Sequence, residues 1–250
     1  MARITAIINQ KGGVGKTSTA YALSAGLKLK GYHVLSVDCD PQANLSYGMQ
    51  ADLKSKGLFE AMSTDTPITE IIQTTSQGDI ISNSLKLSSA DLIFIDMGKE
   101  YLLDLSLEAV KNKYDYIIID CPPQLGILSI NALVTATDVL ITLTADLFSL
   151  QGLSQLSETI GKVNKYCHKN VSIAGLLLCK HNSRSVLSRD FKEIIENKAN
   201  ELGTKLYNTV IRDGVAVREA QAKKINIFEY DPQSNPAVDY NNFIFEYLNN

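Results

Sequence analysis

The sequence lacks a long apolar run and a large excess of charge of either sign, and each absence excludes a class of protein. No apolar stretch approaches the roughly 18 residues of a membrane-spanning helix. The first residues do not combine a long apolar stretch with a small-residue cleavage site, so we expect a cytoplasmic protein with no membrane partner. With 250 residues, 45% hydrophobic and 20% charged, the composition excludes a disordered, collagen-like or coiled-coil chain.

Cysteine is also scarce, and no two cysteines form a C-x-x-C pair. The four are far apart and lie mostly within apolar, strand-like runs: Cys39, Cys121, Cys167 and Cys179. We therefore predict reduced core thiols rather than disulfides or metal ligands.

The net charge is −3, which taken alone argues against a nucleic-acid partner. The average hides an asymmetry along the chain. Residues 180–224 contain ten basic and six acidic side chains, a local charge of +4, and the rest of the chain has a charge of −7. The charge distribution is therefore compatible with a basic surface formed by residues 180–224.

Short Val/Ile/Leu runs alternate with helical patterns along most of the chain. Strands are predicted at 4–9, 33–38, 116–120, 139–144 and 172–180, and helices at 16–30, 126–136, 150–166, 187–202 and 215–224. Such alternation predicts an α/β fold, a doubly wound and mostly parallel sheet with helices on both faces. Residues 45–98 have weaker periodicity, with short helices predicted near 58–62 and 68–73. We expect residues 1–250 to form a single domain, without an N-terminal DNA-reading domain.

A glycine-rich loop follows the first predicted strand and opens the first predicted helix. Glycines let successive backbone N–H groups point at phosphate oxygens, and the helix N-terminus adds its positive dipole end. A lysine in such a loop reaches the β and γ phosphates, and a hydroxyl ligates Mg²⁺. The predicted nucleotide-binding residues are Lys11, Gly12, Gly13, Val14, Gly15, Lys16, Thr17 and Ser18.

The loop departs from the usual G-x-x-x-x-G-K-[ST] pattern at its start. Gln10 stands where the first glycine belongs, and a second cation, Lys11, follows it. A lysine so near the start of the loop can point away from its own phosphates. It would then reach a nucleotide held by a second subunit.

Three aspartates end predicted strands at the edge where doubly wound sheets bind ligands: Asp38, Asp40 and Asp120. Carboxylates at this edge can position a water for in-line attack on a γ-phosphate, or hold Mg²⁺ through water. They can equally cap the next turn or helix.

The loop sequence Lys11 to Thr17 resembles the deviant Walker A motif of the ParA/MinD superfamily of ATPases. Residues 37–44, VDCDPQAN, and 117–123, IIIDCPP, are similar to its second and Walker B motifs, and residues 151–153 and 229–234 are similar to ParA/Soj-type signatures. The resemblance implies a P-loop fold and an ATP-dependent dimer that partitions plasmid or chromosomal DNA, with two ATP molecules sandwiched between subunits.

The resemblance also implies individual roles. Lys11 contacts the partner's nucleotide and takes part in catalysis with Lys16, Asp40 orients the attacking water, and Asp120 lies near Mg²⁺, with Thr17 and Asp38 as further metal residues. Adenine contacts are implied at Asn182, Asp231 and Pro232. The implied cofactors are ATP and Mg²⁺.

No arginine lies near these motifs, so we expect slow intrinsic hydrolysis of ATP to ADP and phosphate. A ParB-like or other centromere-binding partner would supply the missing cation, as the resemblance implies.

Nonspecific DNA binding is expected in the basic segment, because a guanidinium suits phosphate oxygens and no helix-turn-helix accompanies it. The ATP-bound form would then be nucleoid-associated. Residues 211–220 depart from the Soj pattern I-P-R-N-V-R-L-S-E-A, which shifts the arginine positions. The candidates are Arg184, Arg189, Arg212, Arg218, Lys223 and Lys224.

Several other functions share the loop. A MinD-like positioning ATPase needs a basic amphipathic C-terminal helix, but residues 239–250 contain no lysine or arginine and read as a helix packed on the sheet. A nitrogenase-type iron–sulfur reductase needs more cluster cysteines than Cys121 alone. A dethiobiotin-synthase-type ligase lacks the lysine found here at position 11. A regulatory ParA relative that acts on a protein partner remains open.

Overall fold

The structure, a computed structural model, describes residues 1–64, 66–83, 85–181 and 186–249, with side chains described throughout except at positions 85, 147, 148, 151 and 186–190. Within these ranges, seven strands form one sheet in the order β3-β4-β2-β5-β1-β6-β7. The strands are β1 (Arg3–Ile8), β2 (Val34–Asp38), β3 (Ile72–Thr75), β4 (Gly78–Ile81), β5 (Tyr116–Asp120), β6 (Asp138–Leu143) and β7 (Ser172–Leu178).

Every strand pair in the sheet is parallel except β3 with β4. The parallel register places Asp38 directly opposite Asp120, so the carboxyl ends of β2 and β5 meet at the same edge. The predicted doubly wound, mostly parallel α/β fold is confirmed.

The described ranges contain eleven α-helices that cover both faces of the sheet. They are α1 (Lys16–Leu29), α2 (Asn44–Gly48), α3 (Leu58–Ser63), α4 (Ala90–Ile93), α5 (Leu102–Leu107), α6 (Ile127–Thr135), α7 (Leu147–Tyr166), α8 (Val186–Glu201), α9 (Val215–Lys223), α10 (Ile227–Tyr230) and α11 (Asn235–Leu248). Short 3₁₀ helices occupy Ile68–Glu70, Leu85–Ser89 and Lys99–Tyr101.

The central strands contribute to two apolar layers because side chains alternate along a strand. In β1, Ile4, Ala6 and Ile8 pack toward α3 to α8, whereas Ile7 packs toward α1, α2 and α9 to α11. Both faces of the sheet are therefore buried, as its continuous apolar strands predict.

The structure corrects the prediction for residues 68–73. A 3₁₀ helix ends at Glu70, and Gln73 lies in β3, which forms a hairpin with β4 through a tight polar turn. The sequence of β3, Ile-Gln-Thr-Thr, has two β-branched threonines and an isoleucine, which favour a strand. A four-residue edge strand has too few apolar residues to reveal its period, so the prediction failed there.

All four cysteines have free thiols, and Cys39, Cys121 and Cys179 are buried. Over the described ranges, no helix combines the length and apolar character needed to cross a bilayer.

Candidate functional site

The glycine-rich loop joins the end of β1 to the start of α1, as the sequence predicts. Gly13 and Gly15 have φ values of 75° and 93°, in the left-handed region that side chains with a Cβ disfavour. A Cβ on Gly15 would also lie 3.3 Å from the Cβ of Cys179. Glycine at position 15 therefore allows both the left-handed backbone conformation before α1 and the close approach of the loop to Cys179.

A pocket of about 210 Å³ opens in front of this loop. It brings together seven of the predicted nucleotide or catalytic residues: Gly12, Gly13, Gly15, Lys16, Thr17, Ser18 and Asp40. Asn44, Pro123 and Lys180 complete the lining. Of the remaining loop residues, Val14 is buried in the core with 1% of its surface exposed.

Lys16 reaches back across the loop, where its Nζ donates to the main-chain oxygen of Lys11 at 3.1 Å. Burial lowers the pKa of Lys16, and the nearby Asp120, Cys121 and Asp40 side chains oppose that shift. An anionic ligand in the pocket would therefore compensate a cation that the fold has partly removed from water.

Asp38 and Asp40 occupy different positions although they are only two residues apart. Asp38 is completely buried, and its carboxylate accepts hydrogen bonds from the main chains of Asp40 and Ser46 and from the Ser46 hydroxyl. Burial raises the pKa of Asp38 to about 6. Asp40, by contrast, faces the phosphate pocket.

Asp120 is also completely buried, at the end of β5. Neither of its carboxylate oxygens has a hydrogen-bond partner of ordinary geometry among the described residues. Burial, followed by the charge of Asp38, raises its pKa well above the usual range, and the nearby Thr17 hydroxyl offsets this only in part. A buried carboxylate without partners is the feature expected of a group that binds something absent from the free chain.

The oxygen atoms of Asp120, Thr17 and Asp38 suit a Mg²⁺ ion that is held mainly by phosphate and water. No group of three or more His, Cys, Asp or Glu side chains in the described ranges is arranged to hold a metal ion. Mg²⁺ characteristically uses one or two carboxylates together with substrate phosphates and water. Asp120, Thr17 and Asp38 fit that chemistry.

Lys11 does not line the phosphate pocket. Its Nζ donates to Asp146 Oδ2 at 2.7 Å, and its main-chain N–H donates to Asn9 Oδ1 at 2.9 Å. Partial burial disfavours ionisation of Asp146, but the hydrogen bonds from Lys11 and Thr144 outweigh it and lower the pKa of Asp146. The side chain of Lys11 therefore leaves its own loop toward the start of α7.

A second pocket of about 110 Å³ adjoins the first and shares Gly15, Ser18 and Lys180 with it. Its other lining residues come from the end of β7, from α11 and from α9 and the segment before it: Cys179, Ile211, Arg212, Asp213, Gly214, Val217, Arg218, Gln221 and Tyr240. Gln221 Nε2 donates to Ser18 Oγ at 3.0 Å, so α9 contacts the nucleotide-site helix α1 directly.

Asp231 and Pro232, predicted to contact adenine, line neither pocket. They form the turn between α10 and α11, where the main-chain oxygen of Asp231 accepts from Ser234 Oγ at 2.7 Å and Ser234 caps α11. Tyr230, directly before Asp231, also makes a local contact, since its hydroxyl donates to Glu219 Oε2 at 2.9 Å. Asn182 lies outside the described residues.

The predicted DNA-binding residues occupy several different environments. Arg212 forms a bidentate pair with Asp239, with Nε and Nη2 at 2.8 and 2.7 Å from its oxygens. Arg218 and Lys223 are exposed, and the Nζ of Lys224 lies 3.9 Å from the ring centre of Tyr47. Arg184 and the side chain of Arg189 lie outside the described residues.

Several residues at the site carry no motif signal of their own. Asp146 was missed because its role depends on the distant Lys11. Lys180 lines both pockets and has a left-handed backbone conformation, with φ 51°. Its position just after a parallel strand, where such sheets bind ligands, was the sequence signal that could have identified it. Asn44 and Pro123 belong to the motif segments that supplied Asp40 and Asp120.

Comparison with known proteins gives the family. A family model described as an AAA domain matches residues 2–173. The sporulation initiation inhibitor protein Soj of Bacillus subtilis (strain 168) is 39% identical over 246 residues, which cover 96% of each chain. The chromosome-partitioning ATPase Soj of Treponema pallidum (strain Nichols) is 35% identical over 245 residues, covering 96% of this chain and 94% of its own.

Among solved structures, cobyrinic acid a,c-diamide synthase from Mycobacterium smegmatis, with bound ADP and magnesium, is 28% identical with a TM-score of 0.85. The alignment covers 99% of this chain and 94% of the synthase chain. Identities of 39% and 35% to two Soj proteins over nearly the whole chain, together with the loop motif at residues 11–17, place the chain in the ParA/Soj-type partition ATPases of the ParA/MinD superfamily.

Proposed function

We propose that this protein is an ATP-dependent molecular switch for DNA partition, in which an ATP-bound sandwich dimer binds DNA and hydrolysis releases it. The observation that carries the proposal is the convergence of Lys16, Thr17 and Asp40 on one pocket, with Asp120 buried behind it. That arrangement supplies a cation, a hydroxyl and a carboxylate around the space for a nucleoside triphosphate.

In this proposal each residue has one task in ATP hydrolysis. The loop N–H groups and the N-terminus of α1 bind the phosphates, and Lys16 contacts the β and γ phosphates. Mg²⁺, when bound, neutralises phosphate charge; Thr17 and Asp120 would hold it, with Asp38 acting through water. Asp40 orients the water that attacks the γ-phosphate, which yields ADP and phosphate.

Lys11 supports a dimeric active form. Its Nζ pairs with Asp146 instead of turning into its own phosphate pocket. In a sandwich dimer, this lysine would leave Asp146 and contact the nucleotide of the partner subunit. ATP would thus join two chains and complete both sites at once.

A cavity of about 240 Å³ supports the proposal of partner-stimulated hydrolysis. It shares Asp40 and Pro123 with the phosphate pocket, and its described lining includes the carboxylates of Asp40 and Asp91 but no lysine or arginine. A basic side chain of a ParB-like partner could enter beside Asp40 and stabilise the charge of the transition state. Without it, hydrolysis is proposed to be slow.

Nonspecific DNA binding is assigned to the basic segment at residues 180–224. Arg218, Lys223 and Lys224 remain the best described candidates because they are not paired with a carboxylate in the salt bridges of the described residues. Arg212 is a weaker candidate, since Asp239 neutralises its charge. Phosphate contacts of this kind produce affinity that falls steeply with salt.

The decisive experiment measures DNA retention with ATP, with ADP and without nucleotide across a salt series, with Lys16→Ala as the control that cannot hold phosphate. We expect retention only with ATP, decreasing steeply with salt. Equal retention under all three conditions would contradict the switch. ATP turnover without any nucleotide-dependent dimerisation or DNA retention would instead favour the ligase-type alternative, and ATP-dependent capture of a protein or lipid surface the regulatory or MinD-like one.

A further inference from the structure

The segment that bears Asp38 and Asp40 is held from behind by two residues outside the phosphate pocket, Ser46 and Asn83. The Ser46 hydroxyl and main-chain N–H both donate to Asp38 Oδ2, at 2.7 and 2.8 Å. The main-chain N–H of Asn83 donates to Ser46 Oγ at 2.9 Å, and its side-chain Nδ2 donates to the main-chain oxygen of Asp40 at 2.7 Å. One continuous network therefore joins both aspartates to α2 and to the chain after β4.

The three side chains that form this network are buried. Ser46 and Asp38 have no exposed surface, and Asn83 has 1% of its surface exposed. Inside a protein, hydrogen bonds in such surroundings are strong, and each one that is lost leaves a costly unpaired group. The network can therefore impose a single conformation on the segment it contacts.

The main chain of Asp40 is fixed on both sides by these bonds. Its N–H donates to Asp38 Oδ1 at 3.1 Å, and its carbonyl accepts from Asn83 Nδ2 and from the N–H of Ala43 at 2.8 Å. The Asp40 carboxylate in turn accepts from the N–H of Gln42 at 3.0 Å. These bonds fix the backbone of Asp40, and the bond from Gln42 restrains the Asp40 carboxylate beside the pocket.

We propose that Ser46 and Asn83 are positioning residues for ATP hydrolysis, which hold the Asp38–Asp40 segment so that the Asp40 carboxylate can orient the attacking water. The inference rests on the role assigned to Asp40 under Proposed function. Neither residue lines the phosphate pocket, so we expect ATP to bind without their side chains. Geometry in such a step is demanding, since a misplacement of about 1 Å can cost on the order of 10²-fold in rate.

The test compares single-turnover hydrolysis of Mg-ATP by full-length wild type, Asn83→Ala and Ser46→Ala, with dissociation constants from a fluorescent ATP analogue. We expect the rate at saturating ATP to fall by about 10- to 100-fold in both variants, with KM and the dissociation constant within about threefold of wild type. Because ATP stays bound for longer, DNA retention after ATP chase should also last longer.

Matched variants separate the hydrogen bonds from the space that the side chains fill. Ser46→Thr keeps the hydroxyl and is expected to restore most of the rate lost in Ser46→Ala. Asn83→Leu fills a similar volume but has no proton to donate to the Asp40 carbonyl, so it should remain slow. Thermal unfolding of each variant identifies folded samples, and if Ser46→Ala does not fold, Asn83→Ala decides the question.

The positioning role would be overturned if folded Asn83→Ala hydrolysed ATP at the wild-type rate. It would also be overturned if the variants lost ATP affinity in proportion to rate, which would indicate a collapsed pocket. Asp40→Ala distinguishes this failure from that of the wider proposal. If Asp40→Ala still hydrolyses ATP normally, the role of Asp40 itself is wrong; if it is inactive while both positioning variants are normal, only the role of Ser46 and Asn83 is wrong.

Discussion

Asp120 lies at the end of β5 with no exposed surface, and its carboxylate oxygens accept no hydrogen bond of ordinary geometry from the described residues. Burying a polar group without partners costs on the order of 1–3 kcal/mol. Protonation of the carboxyl, or a ligand that brings positive charge to this position, can recover that cost. The free chain is therefore less stable than its sheet and core would otherwise make it.

We predict that Asp120→Asn raises the melting temperature of the nucleotide-free protein at pH 8, by about 2–4 °C per kcal/mol recovered. Burial raises the pKa of Asp120, so the ionised form is the one that folding disfavours. The stability penalty is thus absent at a pH below the unfolded pKa and grows as the pH rises. The gain from Asp120→Asn should therefore be larger at pH 8 than at pH 5 by thermal unfolding. An equal gain at both values would mean that charge is not its cause.

The Lys11–Asp146 pair leads to a second prediction at this scale. If Lys11 must leave Asp146 to reach the partner's nucleotide, then Asp146→Asn lowers the cost of that movement while keeping an oxygen to cap α7. The pair is partly exposed and is worth about 0.2–1 kcal/mol. Two such pairs separate in each dimer, so sedimentation with Mg-ATP and an Asp40→Ala background should show dimerisation strengthened by up to about 30-fold. Weaker dimerisation would indicate that Asp146 itself belongs to the interface.

Among the elements, α1 and α11 approach each other unusually closely at Gly26. A Cβ at this position would lie 2.1 Å from the Cδ1 atom of Ile244, which is fully buried. A Cβ at position 26 would therefore force the Ile244 side chain or α11 to shift, although the position lies within α1, where glycine costs about 1 kcal/mol relative to alanine.

Gly26→Ala is predicted to destabilise the protein by about 1–3 kcal/mol through overpacking. Ile244→Val removes the atom in conflict and alone should cost about 0.5–1.5 kcal/mol. The double variant should be more stable than the sum of the two changes predicts, as measured by urea unfolding. Additive effects would show that α11 simply moves away from α1.

The sequence was sufficient for elements with long periodic patterns and for residues within one motif. The predicted bounds of β5, 116–120, agree with the structure, because its apolar run is bounded by polar residues on both sides. The α2 helix and the β3–β4 hairpin were missed, since five polar-rich residues or a four-residue edge strand have no readable period. Asn83, Ser46 and Asp146 were missed for another reason: each acts on a residue brought to it only by the fold.

For the whole molecule, the charge distribution separates a basic residue that stabilises the fold from those proposed to contact DNA. Arg212 and Asp239 form a bidentate pair, and Asp239 has only 7% of its surface exposed. Lys223 and Lys224 instead pack against the rings of Tyr230 and Tyr47, which leaves their charge without a carboxylate in the salt bridges of the described residues. Within one basic segment, Arg212 therefore stabilises the fold, whereas Lys223 and Lys224 are left for the proposed DNA contacts.

We predict that Arg212→Ala and the double variant Lys223→Ala with Lys224→Ala act differently. Arg212→Ala removes both guanidinium hydrogen bonds from the buried Asp239 carboxylate, which keeps the main-chain N–H of residue 212 as a donor, and should lower the free energy of unfolding by about 1–3 kcal/mol. The double lysine variant should leave the melting temperature nearly unchanged but reduce the slope of DNA affinity against salt by up to about two. A salt slope that falls only in Arg212→Ala would reverse the assignment.

The 20-residue helix α7 is capped at its N-terminus by Asp146, the partner of Lys11, and at its C-terminus by Cys167, the one cysteine of the four that is not fully buried. The other three thiols are enclosed, and burial raises the pKa of each of them, which makes them poor nucleophiles. A thiol-directed fluorophore would therefore attach to the natural chain at one place, about 30 Å along a single helix from the lysine proposed to cross between subunits. The unaltered sequence thus provides an attachment site for a spectroscopic probe of the proposed dimerisation.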